Sequence, residues 1–437
     1  MNRTAGRTLA ALIVCLSVPV VAPADGWWLD EAKAQAGSEG SRPNILLIVT
    51  DDQPDNPDTR AVLPVLERFP LRFNRAYVTT PLCCPSRASI FSGRYAHNHG
   101  IVENNGQGFD QDRTVQRTLH DNGYATGLVG KYLNKVHEAP HFDHVTLQTS
   151  INRFYDSTFL VDGEERKVRG HMSPFLQERA LTTMDQLNDS GKPWFLYVGP
   201  YAPHLPATPE RKYEDRAVSA FAPRREANMS DKPAYVRGFN VSKDKVSEAR
   251  KLQLRSLASV NDLTEALLDR VEQLGAENTM VIFTSDNGYM WWEHGLFKKR
   301  FPYEPSVRVP LYVRWPGRVT AGSSDRLVAN IDIAATIYEA AGVEPTYPLD
   351  GRSLFAGGRD HLLLEYWAEA CCRVPSWKAI VTAGSTYIRY ETGERELYNM
   401  LLDPDQLTNQ VASAPGLAER LESLLVADAS CVGSACP

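Results

Sequence analysis

The sequence predicts an α/β fold in which a large, mostly parallel sheet is flanked by helices and followed by a smaller C-terminal antiparallel α+β subdomain. Three observations predict it. Continuous apolar runs of strand length recur along the chain, as expected for strands buried on both faces. Helical patterns lie between these runs, and strands that alternate with helices form parallel sheets. After about Pro345 the pattern changes to short strands separated by turns.

The predicted strands of the large sheet are each followed by polar or charged residues. These strands are 44–50, 125–129, 194–198, 279–285 and 311–313. In open α/β sheets, ligands bind beyond the carboxyl ends of the strands. We therefore expect the polar residues that follow separate strands to meet in one site.

The predicted helices have recognisable ends. Ser173 is a suitable N-cap for a helix over 175–187 because Pro174 fits the first helical position. An amphipathic pattern covers 249–274, and a helix over 330–341 ends at Gly342. In the C-terminal part we expect an antiparallel sheet from strands 362–366, 378–381 and 386–390, with one helix over 416–425.

The N-terminus has the pattern of a secretory signal. Arg3 and Arg7 precede an apolar run over 9–21, and small residues follow at 22–24. The run is shorter than the about 20 residues that a membrane span needs. We therefore predict a signal peptide over 1–24, a linker over 25–41, a catalytic domain over 42–345 and a C-terminal subdomain over 346–437. The mature protein is expected to be secreted (extracellular or periplasmic, or lysosomal in a eukaryote), without a membrane span.

Composition excludes several classes of protein. The 437 residues are 43% hydrophobic, which is too apolar for a mainly disordered chain. The formal net charge of -6 provides no basic field for coating nucleic acid. Of the 7 cysteines, Cys431 and Cys436 close a short loop and are the predicted disulfide pair. The pattern leaves the pairing of Cys371 and Cys372 open.

The run that starts Cys83-Cys84-Pro85-Ser86-Arg87 carries the most specific signal. Proline in the first turn predicts that a helix begins here, so residue 83 would lie at a helix N-terminus, which favours anions. Arg87 adds a positive charge one turn further on. A nucleophile that attacks an anionic ester is one interpretation. A buried cysteine pair beside a helix start has comparable weight on the local run alone.

Acidic and amide side chains follow two of the predicted buried strands. Asp51 and Asp52 come after the first, and Asp286 and Asn287 come after 279–285. Hard divalent cations such as Ca²⁺ take several oxygen ligands of these types. Capping of loop backbone is the alternative for either pair alone. The two pairs together favour a metal site.

The run from Cys83 to Arg94 resembles the signature of the sulfatases of the alkaline phosphatase superfamily, C-x-P-S-R followed by a small-residue helix and Gly-Arg. The resemblance implies an alkaline phosphatase-like fold and oxidation of Cys83 to formylglycine by a formylglycine-generating enzyme. It also implies that the modified residue joins the acidic and amide groups as metal ligands. The metal of the family is Ca²⁺, with Mg²⁺ as the alternative. The metal ligands implied are Asp51, Asp52, Cys83, Asp286 and Asn287.

A basic set accompanies the signature. Fixed cationic donors stabilise the negative charge of a sulfate ester, and a histidine can protonate a leaving alcohol. Each residue alone could equally be a solvated lysine or a structural histidine. The resemblance implies catalytic roles for Arg87, Lys131, His204 and Lys299, and a substrate-binding role for His294.

One position departs from the family pattern. Many sulfatases have a histidine two residues beyond the lysine, where this chain has Leu133, so the usual base is missing. His137, His141 and His144 are possible substitutes. The run GKYLN resembles the N-acetylglucosamine-6-sulfatase branch, which implies a sulfated sugar as substrate. The alternatives are a broad arylsulfatase, a phosphodiester or phosphonate hydrolase on the same scaffold, or a non-catalytic anion-binding protein.

Overall fold

The computed structural model describes residues 42–223, 226 and 228–437. The predicted signal peptide (1–24) and linker (25–41) lie outside these residues. The described residues fall within one compact unit, Glu39–Pro437. The domain boundary between 345 and 346 stays a prediction. Within the described part of the chain, no helix is both long enough and apolar enough to cross a membrane.

Strands of short to medium length occur throughout the described part of the chain. They are β1 (Asn44–Thr50), β2 (Leu71–Tyr77), β3 (Ala125–Gly130), β4 (His144–Gln148), β5 (Thr158–Val161), β6 (Glu164–Lys167), β7 (Trp194–Gly199), β8 (Thr279–Ser285), β9 (Met290–Trp291), β10 (Phe297–Lys298), β11 (Leu311–Arg314), β12 (Gly322–Ala329), β13 (His361–Tyr366), β14 (Trp377–Thr382), β15 (Ser385–Tyr390) and β16 (Arg395–Asn399). In the described residues, 10 strands form one sheet in the order β12-β2-β11-β8-β1-β7-β3-β4-β5-β6.

The helices differ widely in length. They are α1 (Pro57–Ala61), α2 (Cys83–Ser92), α3 (Ala96–His99), α4 (Val115–Asp121), α5 (Met172–Asp189), α6 (Ala234–Arg237), α7 (Lys243–Gln273), α8 (Glu304–Val307), α9 (Asp332–Ala341) and α10 (Pro415–Asp428). Residue 83 therefore starts a helix, as predicted.

The centre of the large sheet is parallel, which confirms the predicted fold class. β1 pairs in parallel with β7 and β8, and β3 pairs in parallel with β7 and β4. The predicted strand 311–313 exists as β11, but it runs antiparallel to β8 and β2. Parallel strand ends therefore meet at one edge of the sheet, next to the residues that follow β1, β3, β7 and β8.

The apolar run of β1 is buried because both faces of the sheet are covered. Leu46 and Ile48 pack into a cluster with α5 and α7, whereas Ile45, Leu47 and Val49 pack into a cluster with α2, α4 and α9. All five side chains are 0% exposed. Burial of each stabilises the fold by about 1.5–3 kcal/mol, which anchors the strand that ends in Asp51 and Asp52.

Two predicted helix ends can be compared with the structure. Gly342 is the C-cap of α9 with a left-handed φ of 63°, as predicted. The prediction that Ser173 is the N-cap of this helix is wrong. α5 begins at Met172, and the ring of His171 accepts the hydrogen bond from the Ser173 backbone N–H. A histidine ring nitrogen can accept this bond as a hydroxyl would, but the sequence pattern does not indicate it.

The C-terminal part confirms the predicted antiparallel sheet with one long helix. β13, β14, β15 and β16 pair in sequence order, and α10 packs on β14 and β15. The strand β16 was not predicted. The predicted disulfide between Cys431 and Cys436 is present, and Cys371 and Cys372 are free thiols.

Candidate active site

The two acidic pairs meet at the carboxyl edge of the sheet. β1 and β8 are neighbours in register, with Thr50 opposite Ser285, so the residues that follow them are adjacent. The Asp52 backbone N–H donates to Asp286 Oδ1 at 3.1 Å, and Asn287 Nδ2 donates to Asp52 Oδ1 at 2.7 Å. Asp52 has a left-handed φ of 68°. Such backbone strain concentrates at functional sites, where surrounding contacts hold it in place.

Position 83 lies against this acidic cluster. The Cys83 side chain is 0% exposed, and its Sγ lies 3.3 Å from Asp51 Oδ1. Lys299 Nζ lies 2.7 Å from the same sulfur. Burial, with a contribution from Asp51, raises the pKa of the Cys83 thiol well above its usual value. The thiolate is the nucleophilic form of cysteine, so an unmodified thiol here is a weak nucleophile.

Arg87 ties the signature helix to the sheet edge. Its guanidinium is fully buried, and its Nε lies 2.8 Å from Asp286 Oδ2. One terminal nitrogen donates to the Lys131 carbonyl at 3.0 Å and also contacts the Tyr197 hydroxyl. A buried ion pair of this kind is costly to break, because the remaining charge is left unpaired. Arg87 therefore fixes the relative positions of α2, β3 and β8.

Two lysines supply positive charge on either side of residue 83. Lys131 Nζ lies 2.5 Å from Asp51 Oδ2, and Lys299 Nζ contacts Asp52 Oδ1. Burial opposes the charged form of both lysines, but the carboxylates outweigh it and raise the pKa of each ammonium. Burial likewise opposes ionisation of Asp51 and Asp52, and the lysines lower the pKa of both carboxyls. These two aspartates and two lysines are therefore charged at neutral pH.

The position of Lys131 depends on a close strand approach. Gly130 ends β3 with a φ of 107°, and a Cβ at this position would lie 2.2 Å from the Gly199 carbonyl oxygen. The Lys131 backbone N–H donates to that same oxygen at 2.8 Å. Only glycine permits both this conformation and this contact. The dipeptide Gly130-Lys131 thus has a structural explanation.

His204 lies in the loop after β7. Its Nε2 lies 3.8 Å from Asp52 Oδ2, and its Nδ1 lies 2.6 Å from the Leu205 carbonyl oxygen. The carbonyl can only accept, so Nδ1 carries a hydrogen and Nε2 faces the acidic cluster. Burial lowers the pKa of His204, although Asp51 and Asp52 oppose that effect. The Tyr201 ring, with its centroid 4.7 Å away, covers one face of the imidazole.

The structure places His294 differently from the other predicted site residues. Its Nδ1 lies 3.0 Å from Glu226 Oε2, and its ring packs on Tyr303. It lines a cavity of ≈ 690 Å³ whose described lining residues do not include Asp51 or Cys83. The described lining of this cavity therefore does not include the acidic pair that follows β1. A substrate-binding role for His294 stays a prediction.

The possible substitutes for the missing histidine occupy different places. Leu133 is 4% exposed and packs in the hydrophobic cluster on the α2 side of the sheet. His141 pairs with Asp112, and His144 lies in β4. His137 lines a small cavity that also includes Lys131. His137 thus lines a cavity together with a predicted site residue.

Two tyrosines belong to the site and were missed. The Tyr197 hydroxyl donates to the Lys131 carbonyl at 3.0 Å, and the Tyr201 ring lies 5.5 Å from Lys131 Nζ. Tyr197 lies within the apolar run of β7, where a tyrosine is expected to be an ordinary core residue. The sequence therefore contains no signal that separates these tyrosines from core aromatic residues.

The comparison with known families bears on this arrangement. Residues 43–343 match the family described as Sulfatase. The chain belongs to the sulfatase family. It is accordingly a sulfuric ester hydrolase. Residues 292–426 also match the family described as N-sulphoglucosamine sulphohydrolase, C-terminal, which extends the relationship of this sulfatase into the C-terminal part.

Individual relatives resemble this sulfatase over most of its length. The N-acetylglucosamine-6-sulfatase of Homo sapiens is 30% identical, over 90% of this chain and 86% of that protein. An arylsulfatase of Chlamydomonas reinhardtii is 27% identical, over 93% of this chain and 77% of that protein. A structure solved in complex with its substrate D-glucosamine-2-N,6-O-disulfate superposes with a TM-score of 0.80 at 23% identity, covering 88% of this chain and 97% of that chain.

A hard divalent cation fits the residues of this sulfatase. Ligand atoms of Asp51, Asp52, Cys83 and His204 all lie within 4.8 Å of one another, and Asp286 and Asn287 hydrogen-bond to Asp52. Oxygen ligands are those that Ca²⁺ and Mg²⁺ prefer. Asn287 Oδ1 is buried and has no hydrogen-bond partner among the described residues. Buried polar atoms are nearly always paired in proteins, so this oxygen is available to a ligand.

Proposed function

We propose that this sulfatase is an exported, metal-dependent enzyme that uses a formylglycine derived from Cys83 to hydrolyse the 6-sulfate of an N-acetylglucosamine-type sugar. The supporting observation is the position of Cys83 Sγ between Asp51 Oδ1 and Lys299 Nζ, at 3.3 and 2.7 Å. Asp51, Asp52, Asp286 and Asn287 would hold Ca²⁺ or Mg²⁺ together with residue 83.

The chemistry at the sulfur atom is divided between the modification, the metal and the basic residues. A bound divalent cation lowers the pKa of a coordinated hydroxyl and offsets negative charge. A hydrated aldehyde at position 83 would supply two hydroxyls, one to attack the sulfur atom as the bond to the leaving alcohol breaks. The second would lose its proton as the C–O bond to sulfate breaks and the aldehyde re-forms. Lys131 and Lys299 bind the sulfuryl oxygens, and Arg87 fixes the positions of Asp286 and the Lys131 backbone. Preorganised donors of this kind stabilise the charge that develops in the transition state.

His204 is the proposed proton donor to the leaving alcohol. Its Nε2 faces the acidic cluster, and its Nδ1–H is held by the Leu205 carbonyl. Burial lowers the pKa of the free imidazole. An anionic sulfate beside the ring favours the imidazolium and opposes this effect. Substrate binding thus charges the residue that must give up a proton.

The choice of a sulfated sugar follows from the relatives. The N-acetylglucosamine-6-sulfatase of Homo sapiens covers 90% of this chain at 30% identity, which supports the same substrate class here. The arylsulfatase of Chlamydomonas reinhardtii has almost the same coverage and favours the second candidate, a broad arylsulfatase. A phosphodiester or phosphonate hydrolase remains the third. Membership of the sulfatase family favours any of these over a non-catalytic anion-binding protein.

Export and maturation are part of the proposal. The N-terminal pattern over 1–24 and the disulfide between Cys431 and Cys436 support an oxidising, extracytoplasmic compartment. Formation of the aldehyde would require a formylglycine-generating enzyme as a maturation partner. Intact-mass measurement of the secreted protein, expected to begin after residue 24, tests the export proposal. Retention of residues 1–24 in the active protein would contradict it.

The nucleophile is tested with adjacent cysteines. We expect Cys83→Ala to abolish sulfate release, because a methyl side chain supplies no group that can be oxidised to the aldehyde, and the control Cys84→Ser to retain activity. Cys84 Sγ accepts a hydrogen bond from the Asn134 backbone at 3.0 Å, which a hydroxyl can also accept. Peptide mass spectrometry of the parent should show an aldehyde or its hydrate at position 83. An active parent with only an unmodified thiol there would overturn the mechanism.

The substrate is tested with a panel of esters. We expect the highest kcat/KM for N-acetylglucosamine-6-sulfate, lower values for a chromogenic aryl sulfate and the lowest for an aryl phosphonate monoester. A preference for the aryl sulfate would favour the arylsulfatase alternative. Turnover of the phosphonate above both sulfates would favour the third candidate. Each outcome is read from the same enzyme preparation, with the fraction of aldehyde at position 83 measured in parallel.

A further inference from the structure

A second cluster of ligand-type side chains lies in the turn between β13 and β14, and it is made of sulfur and carboxylate rather than oxygen alone. Glu369, Cys371 and Cys372 each offer one ligand atom, and these atoms all lie within 4.8 Å of one another. The Cys372 backbone N–H donates to the Glu369 carbonyl at 3.0 Å, which folds the turn so that both thiols approach the carboxylate. Neither cysteine is in a disulfide.

The carboxylate of this cluster is held in place by donors from other elements. The Asn104 backbone N–H donates to Glu369 Oε1 at 3.1 Å, and Arg300 Nε lies 2.6 Å from Oε2. Each carboxylate oxygen retains a further lone pair after accepting one hydrogen bond. Carboxylates that bind metals are typically oriented by such outer partners. The Glu369 carboxylate is only 12% exposed, so its orientation is fixed by packing as well as by these bonds.

We propose that Glu369, Cys371 and Cys372 bind a soft or borderline divalent cation such as Zn²⁺. Two thiolates, one carboxylate and one water make the four-coordinate shell that Zn²⁺ prefers. On binding, each thiol releases its proton to solvent and forms a sulfur–metal bond, with no change in oxidation state. The cation offsets the two thiolates, and Arg300 offsets Glu369, so the occupied cluster carries no net charge.

This site differs from the acidic cluster at the sheet edge in ligand chemistry and in access. The acidic cluster offers hard oxygen ligands that are buried, whereas Cys371 is exposed and Cys372 is partly exposed. A soft cation can therefore reach the thiols directly. The proposed metal site does not depend on the proposed substrate or on the modification of Cys83. The metal site and the proposed function can therefore each be refuted independently.

The test uses Cd²⁺ as the probe, because cadmium–thiolate bonds absorb in the ultraviolet. The full chain is titrated with Cd²⁺ in excess Ca²⁺, which occupies hard oxygen sites. We expect one equivalent of Cd²⁺ to produce a thiolate band in the parent, Zn²⁺ to displace it, and the Cys371→Ser/Cys372→Ser variant to lack it. Identical titrations of parent and double variant would overturn the proposal.

The role of the carboxylate is tested separately. Glu369→Gln should weaken Cd²⁺ binding at least about tenfold, whereas the exposed control Glu344→Gln should bind as the parent does. Equal affinities for the parent and Glu369→Gln would refute the carboxylate as a ligand. If the double cysteine variant does not fold, alkylation of Cys371 and Cys372 in the folded parent, mapped by peptide mass, replaces it. A cadmium band that survives this alkylation would refute the site.

Discussion

A buried carboxyl in the C-terminal subdomain should make the stability of the protein depend on pH. Glu396 is 0% exposed and accepts hydrogen bonds from the hydroxyls of Tyr303, Tyr390 and Tyr398. Burial raises the pKa of this carboxyl to about 7, although the tyrosine hydrogen bonds oppose the shift. Near neutral pH the folded protein therefore holds a proton that an exposed glutamate would release.

The magnitude follows from the two pKa values of this carboxyl. The folded value of about 7 and the exposed value of 4.5 differ by an amount that corresponds to about 3 kcal/mol. Because the folded pKa is the higher one, the stabilisation is complete below pH 4.5. It is lost as the pH rises to about 7 and stays lost above that. At high pH the folded protein must either ionise this buried carboxyl or keep it protonated, and both lower the free energy of unfolding.

The assay compares Glu396→Gln with the parent by urea denaturation at several pH values. Glutamine cannot ionise, so the free energy of unfolding of the parent should fall relative to the variant by about 3 kcal/mol between pH 4.5 and 8. Glu419→Gln, on the exposed face of α10, is the matched control and should show no such change. A parent–variant difference that does not vary with pH would refute the reasoning.

Three further predictions concern the acidic site. Lys131→Met should lower kcat by about 10²–10³-fold, because a buried donor to the sulfuryl group is lost. The exposed control Lys135→Met should keep the parental kcat. Equal kcat values for Lys131→Met and the parent would contradict the role of Lys131. Removal of divalent cations with EDTA should lower the midpoint of thermal unfolding, and added Ca²⁺ should restore it. The midpoint of an Asp51→Asn variant should change much less on either treatment. A parent protein whose midpoint does not change with EDTA would argue against a bound metal. His204→Asn should lower kcat/KM for a sugar sulfate by about 10²–10⁴-fold and much less for a nitrophenyl sulfate, whose leaving group needs no proton; equal losses would exclude the acid role.

The part of the site that could be predicted from the sequence is the part set by strand ends. The runs at β1 and β8 are continuously apolar because both faces of the sheet are covered, and parallel neighbours end at the same edge. That is sufficient to bring Asp51 and Asp52 to Asp286 and Asn287, as the hydrogen bond from Asn287 Nδ2 to Asp52 Oδ1 confirms. The roles of these residues in catalysis stay predictions.

The features that were missed depend on contacts that simple sequence patterns do not contain. Glu396 is an acidic residue, yet it is buried, because the hydroxyls of Tyr303, of Tyr390 on the neighbouring strand β15 and of Tyr398 on β16 itself surround its carboxyl. The antiparallel direction of β11 is likewise set by its neighbours β2 and β8, since its short apolar run is compatible with either direction. His171 caps α5 through a ring nitrogen, which no capping pattern contains. For Glu396 and β11, partners that are distant in sequence contribute, whereas the His171 cap is local but lies outside the usual capping residues.

The leucine at position 133 limits how protons can move in the proposed reaction. Its side chain packs in a hydrophobic cluster, so it leaves no polar group at the place where many sulfatases have a histidine. Among the described residues that contact the acidic cluster, His204 is the imidazole, and its Nδ1 is already committed to the Leu205 carbonyl. In the proposed mechanism, Nε2 would protonate the leaving alcohol and, once neutral, would take a proton from the second hydroxyl at residue 83. One imidazole that alternates between acid and base would satisfy both steps of the proposed mechanism, so that mechanism does not require a histidine at position 133.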